Sequence, residues 1–341
     1  MGLLDWLRGG AAPPSGPDRA RIAEAVERIV QTANPRLRYA PRYARRLTPA
    51  VASALTYAAE LVATVPAARE ATAAGWAADP CMRSLFATPD DVVRAFSRSI
   101  ELRAFFDEHP LADEVYAVIG TRMEERRVLG TALEGSVIRH DVEQTTVGFT
   151  DHRVRILGLT EAELRTEVER RIVDQLVMDG VGRVAAEQRQ REAFEQERAL
   201  LKTRLSLLEQ AGQGMNAALA GERTADAEKL AQVRARLEEN SRTLAGMTTG
   251  AERLDEELER IIEALCDAGQ RFYVTTVRRR LDRMNVVADD DDPASGEEIV
   301  FQSALIPADP PETRVFVLAR FPKAAMLPAA MLFAEAARQL L

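Results

Sequence analysis

Between residues 230 and 272 apolar side chains recur at alternating spacings of three and four. Leu230, Val233, Leu237, Asn240, Leu244, Met247, Ala251, Leu254, Leu258, Ile261, Leu265, Ala268 and Phe272 follow this rule, and only Asn240 is polar. A mean spacing near 3.5 residues keeps such positions on one side of an α-helix, and the stripe then needs another helix to cover it. Charge fills the positions between, as in Arg234, Arg236, Glu238, Glu239, Glu252, Arg253, Asp255 and Glu256. The pattern predicts a coiled coil. Coiled coils serve many ends, so it constrains architecture more than function.

The covering helix is sought upstream. Phe194, Leu201, Leu205 and Leu208 keep heptad phase in a first arm from about residue 183 to 210, and Gly212, Gly214 and Gly221 follow. The reading is an antiparallel hairpin with its reversal between 211 and 223 and a second arm over 224–283. Asp179-Gly-Val-Gly182 is read as a kink or stop ahead of the first arm. Gly246-Met-Thr-Thr-Gly250 offers a competing break in the second, with Thr249 and Glu252 in capping-box spacing. The unbroken phase favours continuity there. If Asn240 faces a partner, it fixes register or oligomer state; the alternative is a local opening to solvent.

Five segments result. Residues 1–17 are an apolar tip and a Gly/Pro-rich linker. Residues 18–134 read as a helical domain. In it Thr48-Pro49 and Thr88-Pro89-Asp90-Asp91 open helices, and Pro110 begins one carrying Val115, Val118, Ile119, Met123 and Leu129. Residues 135–158 and 297–341 supply a small sheet region and a C-terminal helix. The first stretch reads as two or three short strands turning near Thr150-Asp151; strands at 298–306 and 314–321 follow later. The coiled-coil arms occupy 160–284, and 285–296 is an acidic loop. The expected class is mostly α with a small β component (α+β). An N-terminal helical domain and a long antiparallel hairpin accompany a small antiparallel sheet whose strands flank the hairpin in sequence.

The net charge of −8 argues against bulk nucleic-acid binding. No apolar run reaches the roughly 20 residues of a spanning helix, and the N-terminus lacks the layout of a signal peptide. Cytoplasmic residence is the default, with the inner membrane face as a second location. Cys81 and Cys266 stand far apart and read as buried free thiols. Phosphate-loop, dinucleotide and zinc-hydrolase motifs are absent, and no cofactor is expected.

Three groups carry the candidate sites. His140, Asp141, Asp151 and His152 would suit a divalent metal if their segments paired as a hairpin; otherwise they are turn and strand-end residues. Arg36, Arg38, Arg42, Arg45 and Arg46, interleaved with Tyr39 and Tyr43, can hold anions or simply pair with acids. A second basic run, Arg278 to Arg280 with Arg283, reads as the end of the long arm. Leu3, Leu4, Trp6 and Leu7 are a tail, or an anchor for a membrane interface or a partner groove. The reading that unites most of this is a non-enzymatic cytoplasmic coiled-coil scaffold or adaptor, peripherally membrane-associated. It would bind itself or a protein partner through the coiled coil. A metal-dependent enzyme and a nucleic-acid-associated structural protein are the alternatives.

Overall fold

The computed structural model describes residues 17–134, 137–213, 223–247, 253–288, 296–307 and 310–332. The N-terminal tip, the centre of the expected reversal, Ala251, most of the acidic loop and the end of the C-terminal helix lie outside the described residues. In chain order the helices are α1 (Arg19–Ala33), α2 (Tyr43–Ala63), α3 (Ala73–Ala78), α4 (Pro80–Leu85), α5 (Pro89–Ser97), α6 (Ile100–Glu108), α7 (Glu161–Gln213), α8 (Arg223–Ala245), α9 (Arg253–Cys266) and α10 (Ala268–Arg271). The strands are β1 (Arg69–Glu70), β2 (Glu114–Glu134), β3 (Val137–Gly158), β4 (Tyr273–Leu281), β5 (Glu297–Ile306) and β6 (Glu312–Pro322). The protein is thus α+β. Its described residues divide into two compact units, one drawn from residues 17–22, 51–176 and 265–332 and the other from residues 23–50 and 177–264.

The first unit is built on a sheet of order β3-β2-β6-β5-β4, with β1 added in parallel to β6. The strands on either side of the helical segment therefore meet in one sheet, and it is larger than expected. The helix predicted from Pro110 is instead the 21-residue strand β2. Val115, Ala117, Ile119 and Thr121 are buried at every second position. Alternation with period two overrides the weaker three-and-four pattern once a sheet is available. The short strands expected over 137–156 are one strand, β3, paired with β2 along its length. Asp151 does not turn the chain; it takes φ 54° at an irregularity between the Gly120–Arg153 and Arg122–Thr150 pairs. The local Asx tendency is spent on a β-bulge.

One face of this sheet carries Val115, Ala117, Ile119, Val317 and Phe321, packed with Met82, Leu85, Phe96 and Phe106 of α4–α6. Phe96 and Phe321 stack at 4.7 Å. Thr88 caps α5 through a full capping box with Asp91, as the sequence indicates. The opposite face carries Tyr116, Val118, Phe316 and Leu318, against Val65, Leu164 and Val168 of the α2 and α7 ends. The 282–288 segment ties the two outer strands together. Val287 N donates to Thr145 O at 2.8 Å, Val147 N to Asn285 O at 2.8 Å and Ala288 N to Arg280 O at 3.0 Å. At this point neither edge strand is left open.

In the second unit α7 runs unbroken through Asp179-Gly-Val-Gly182, so the expected kink or stop there is not a break. Gly180 serves close approach: a Cβ on it would stand 3.0 Å from the Arg260 carbonyl oxygen and 3.0 Å from Ile261 Cα of α9. The second arm, by contrast, is not one helix. α8 ends at Ala245, where Gly246 N reaches back to Arg242 O at 3.2 Å, and a new helix starts at Arg253. A glycine just past a helix end is a natural stop, and here it outweighs heptad phase. The arm also ends earlier than 283. Phe272 is extended at φ −127° and 273–281 is strand β4, as its Val and Thr content permits. Thr48-Pro49 lies inside α2, which begins at Tyr43 after Arg42 takes φ 55°.

Candidate functional site

The seam positions fall into two classes. Val233, Asn240, Leu244, Leu258, Ile261, Leu265 and Ala268 are buried. Leu230, Leu237, Met247, Leu254 and Phe272 are half-buried. α8 is joined to α7 by polar bonds beside the seam. Asn240 Nδ2 donates to the Phe194 carbonyl at 3.1 Å and to Glu197 Oε2 at 3.2 Å, while Arg236 pairs with Glu197 at 2.9 Å and Arg234 with Glu209 at 2.8 Å. Asn240 Oδ1 is buried with no hydrogen-bond partner. On α7 Leu201 is buried, whereas Leu200 and Leu207 are 71% and 61% exposed. These two leucines are one heptad apart, outside the covered seam.

The arginine stretch divides. Arg46 is committed to Asp255 at 2.6 Å and Glu259 at 2.5 Å, and Arg38 to Glu27 at 3.1 Å. Tyr43 donates to Glu27 at 2.9 Å, and the neighbouring carboxylate raises its phenol pKa. Arg36, Arg42 and Arg45 are exposed around Tyr39, itself 82% exposed on the 3-10 turn Pro35–Tyr39. The second basic run is not a helix end: Arg278, Arg279 and Arg280 lie on β4 and Arg283 just beyond it, with Arg278 paired to Glu298 and Arg279 to Glu125.

The metal-like cluster does not assemble. His140-Asp141 and Asp151-His152 sit on the same strand, ten residues apart from Asp to Asp, which is roughly 33 Å of extended chain. No hairpin folds one pair onto the other. His140 is exposed near Thr131, whereas His152 is half-buried, stacks on Phe86 at 4.6 Å and has Nε2 2.7 Å from the Leu85 carbonyl. A carbonyl only accepts, so Nε2 carries the hydrogen, and burial lowers the imidazole pKa. Among the described residues no group of three or more His, Cys, Asp or Glu converges to hold a metal. Of the two thiols, Cys81 is buried, with its pKa raised to about 11 by desolvation, while Cys266 is exposed, contrary to expectation.

A cavity of about 350 Å³ that sequence reasoning missed lies within the first unit, between the sheet and the α2 and α7 ends. Its walls are mostly apolar, with Val62, Val118, Val168, Ile172, Ala304 and Phe316 from both helices and three strands. Its polar members are mainly arginines. Arg314, 8% exposed, is held by Asp151 at 2.7 Å and Glu312 at 2.6 Å. Hydrogen bonds from Arg314 are the first cause that lowers the pKa of both carboxyls. Arg153, Arg155 and Arg171 are 53%, 58% and 58% exposed and pair with Asp151, Glu101 and Glu167. Alternation of Val118, Gly120 and Phe316 with core residues on the other face is the signal for a two-sided sheet, and the helical spacing of Val115, Val118, Ile119, Met123 and Leu129 masks it. No helix among the described residues is long and apolar enough to cross a membrane. No family model, characterised protein or solved structure matches this chain.

Proposed function

We propose that the chain is a non-enzymatic scaffold or adaptor whose working part is an antiparallel coiled-coil arm of α7 and α8. The supporting observation is the pair Leu200 and Leu207, heptad-spaced and exposed beside a seam already covered within the chain. A seam closed by its own chain is not free for others, so recognition of a second copy or a protein partner falls to this outer stripe. In this reading the protein is cytoplasmic and touches the inner membrane face. Arg36, Arg42 and Arg45 around Tyr39 supply cationic and interfacial groups, and Leu3, Leu4, Trp6 and Leu7 lie upstream of them in sequence.

Light scattering of the full chain tests the arm. The wild type is expected to be an oligomer, or a monomer that forms a defined complex in pull-down. Leu200→Glu with Leu207→Glu should abolish that association while helicity is kept. Association indifferent to both substitutions would remove the proposal. Co-sedimentation with anionic vesicles, before and after deletion of residues 1–8 or reversal of Arg36, Arg42 and Arg45, tests the membrane contact separately.

A further inference from the structure

We propose that the cavity of the first unit binds a single-chain amphiphile with an anionic head, of the fatty-acid class. The inference stands apart from the arm, since every residue it uses belongs to the sheet unit. Space comes first. A volume of about 350 Å³ falls at the lower end of the range, about 300–1,000 Å³, in which pockets hold small organic ligands. Walls of Val62, Val168, Ile172 and Phe316 offer such a ligand no hydrogen-bonding side chain, so what fills this part must be apolar.

Charge decides the other end. The cavity lining includes Arg153, Arg155, Arg171 and Arg314 with one carboxylate, Glu312, while Asp151, Glu101 and Glu167 pair with these arginines from outside the lining. Arg314 is fixed: it is buried and bonded to Asp151 and Glu312 at once. The other three are more than half exposed, so their guanidinium groups can meet a ligand from solvent. Exposed ion pairs contribute little. Trading Glu167 or Glu101 for a ligand carboxylate therefore costs little, and a guanidinium fork can take both carboxylate oxygens. Arg171 is the best placed of the three: it shares α7 with Val168 and Ile172, so one helix presents both the cation and the apolar wall.

The test is a homologous series from hexanoate to tetradecanoate, below micelle formation, titrated into the purified full chain by calorimetry. Affinity should rise about fourfold per added methylene, the equivalent of ~0.8 kcal/mol, and stop rising once the cavity is full. The matching primary alcohols should bind about tenfold more weakly, the loss of one charged hydrogen bond. Arg171→Glu should weaken the acids by a similar factor and leave the alcohols unchanged. Ile172→Trp should fill the cavity and abolish binding of both. If that variant fails to fold, Val168→Phe serves the same purpose. Absent binding, a flat chain-length series, alcohols equal to acids, or binding undiminished in a folded cavity-filled variant would each overturn the proposal.

Discussion

Arg314 occupies a strand position where a buried apolar residue would be the simpler choice, and its neighbours explain how it is tolerated. Arg314 passes Gly120 of β2 to donate to Asp151, which sits at the bulge of β3 with φ 54°. The two carboxylates it would leave behind, Asp151 and Glu312, are each more than a third exposed and keep Arg153 and Arg122 as partners, so Arg314→Met should lower stability by only about 1 kcal/mol, read from the urea midpoint. Acid should lower the protein's stability in two stages. The His152 pKa is lower folded than unfolded, so the unfolded chain takes up the proton first. Its neutral form contributes fully above the ordinary imidazole range, and that contribution fades as pH falls below about 6.5. Asp151 and Glu312, also lowered, contribute above the ordinary carboxylate range and lose that contribution as pH drops through about 4 and below. Urea midpoints measured across pH should show both stages in the wild type. His152→Gln should flatten the first and leave the second.

At the scale of elements, two glycines two residues apart on one helix differ in their surroundings. Gly180 and Gly182 look alike in the sequence, where both suggest a helix break. Within an unbroken α7 they play opposite parts. A Cβ at Gly180 would meet α9 backbone at 3.0 Å, whereas nothing lies within 4 Å of one at Gly182. Gly182→Ala should therefore stabilise by up to about 1 kcal/mol, the helix-propensity gain. Gly180→Ala should destabilise by about 1–3 kcal/mol, because two backbones must separate. Thermal melts of the two variants, compared with each other, isolate the packing term from propensity. Asn240 poses a similar contrast. Its Oδ1 is buried without a partner, so Asn240→Leu should raise the melting temperature. The same change removes the polar bond to Phe194 that fixes α8 against α7. Disulfide trapping between cysteines placed along the two helices should then show more than one register where the wild type shows one.

Over the whole molecule, what the sequence made legible was local: the capped start of α5, the strands β5 and β6, the buried seam of α8 and α9. What it hid was decided by contacts between distant segments. Residues 114–134 and 273–281 carry β-branched side chains that also satisfy a helical count, and only the company of β6 and β5 settles them as strands. The cavity was illegible for the same reason, since its walls come from residues more than 200 positions apart. Long-range closure also makes the sheet unit vulnerable at one place. Val287 N donates to Thr145 O, and Val286 pairs with Thr146, so a short segment holds the edges of β3 and β4 together. Proline at 287 removes that donor and cannot sit in a ladder. Val287→Pro should speed amide exchange at Val147 and Ala288 by at least about tenfold and promote edge-to-edge aggregation. Amides of α8 belong to the other compact unit. If the two units open separately, exchange there should stay at the wild-type rate; a parallel rise in α8 would mean that they unfold as one.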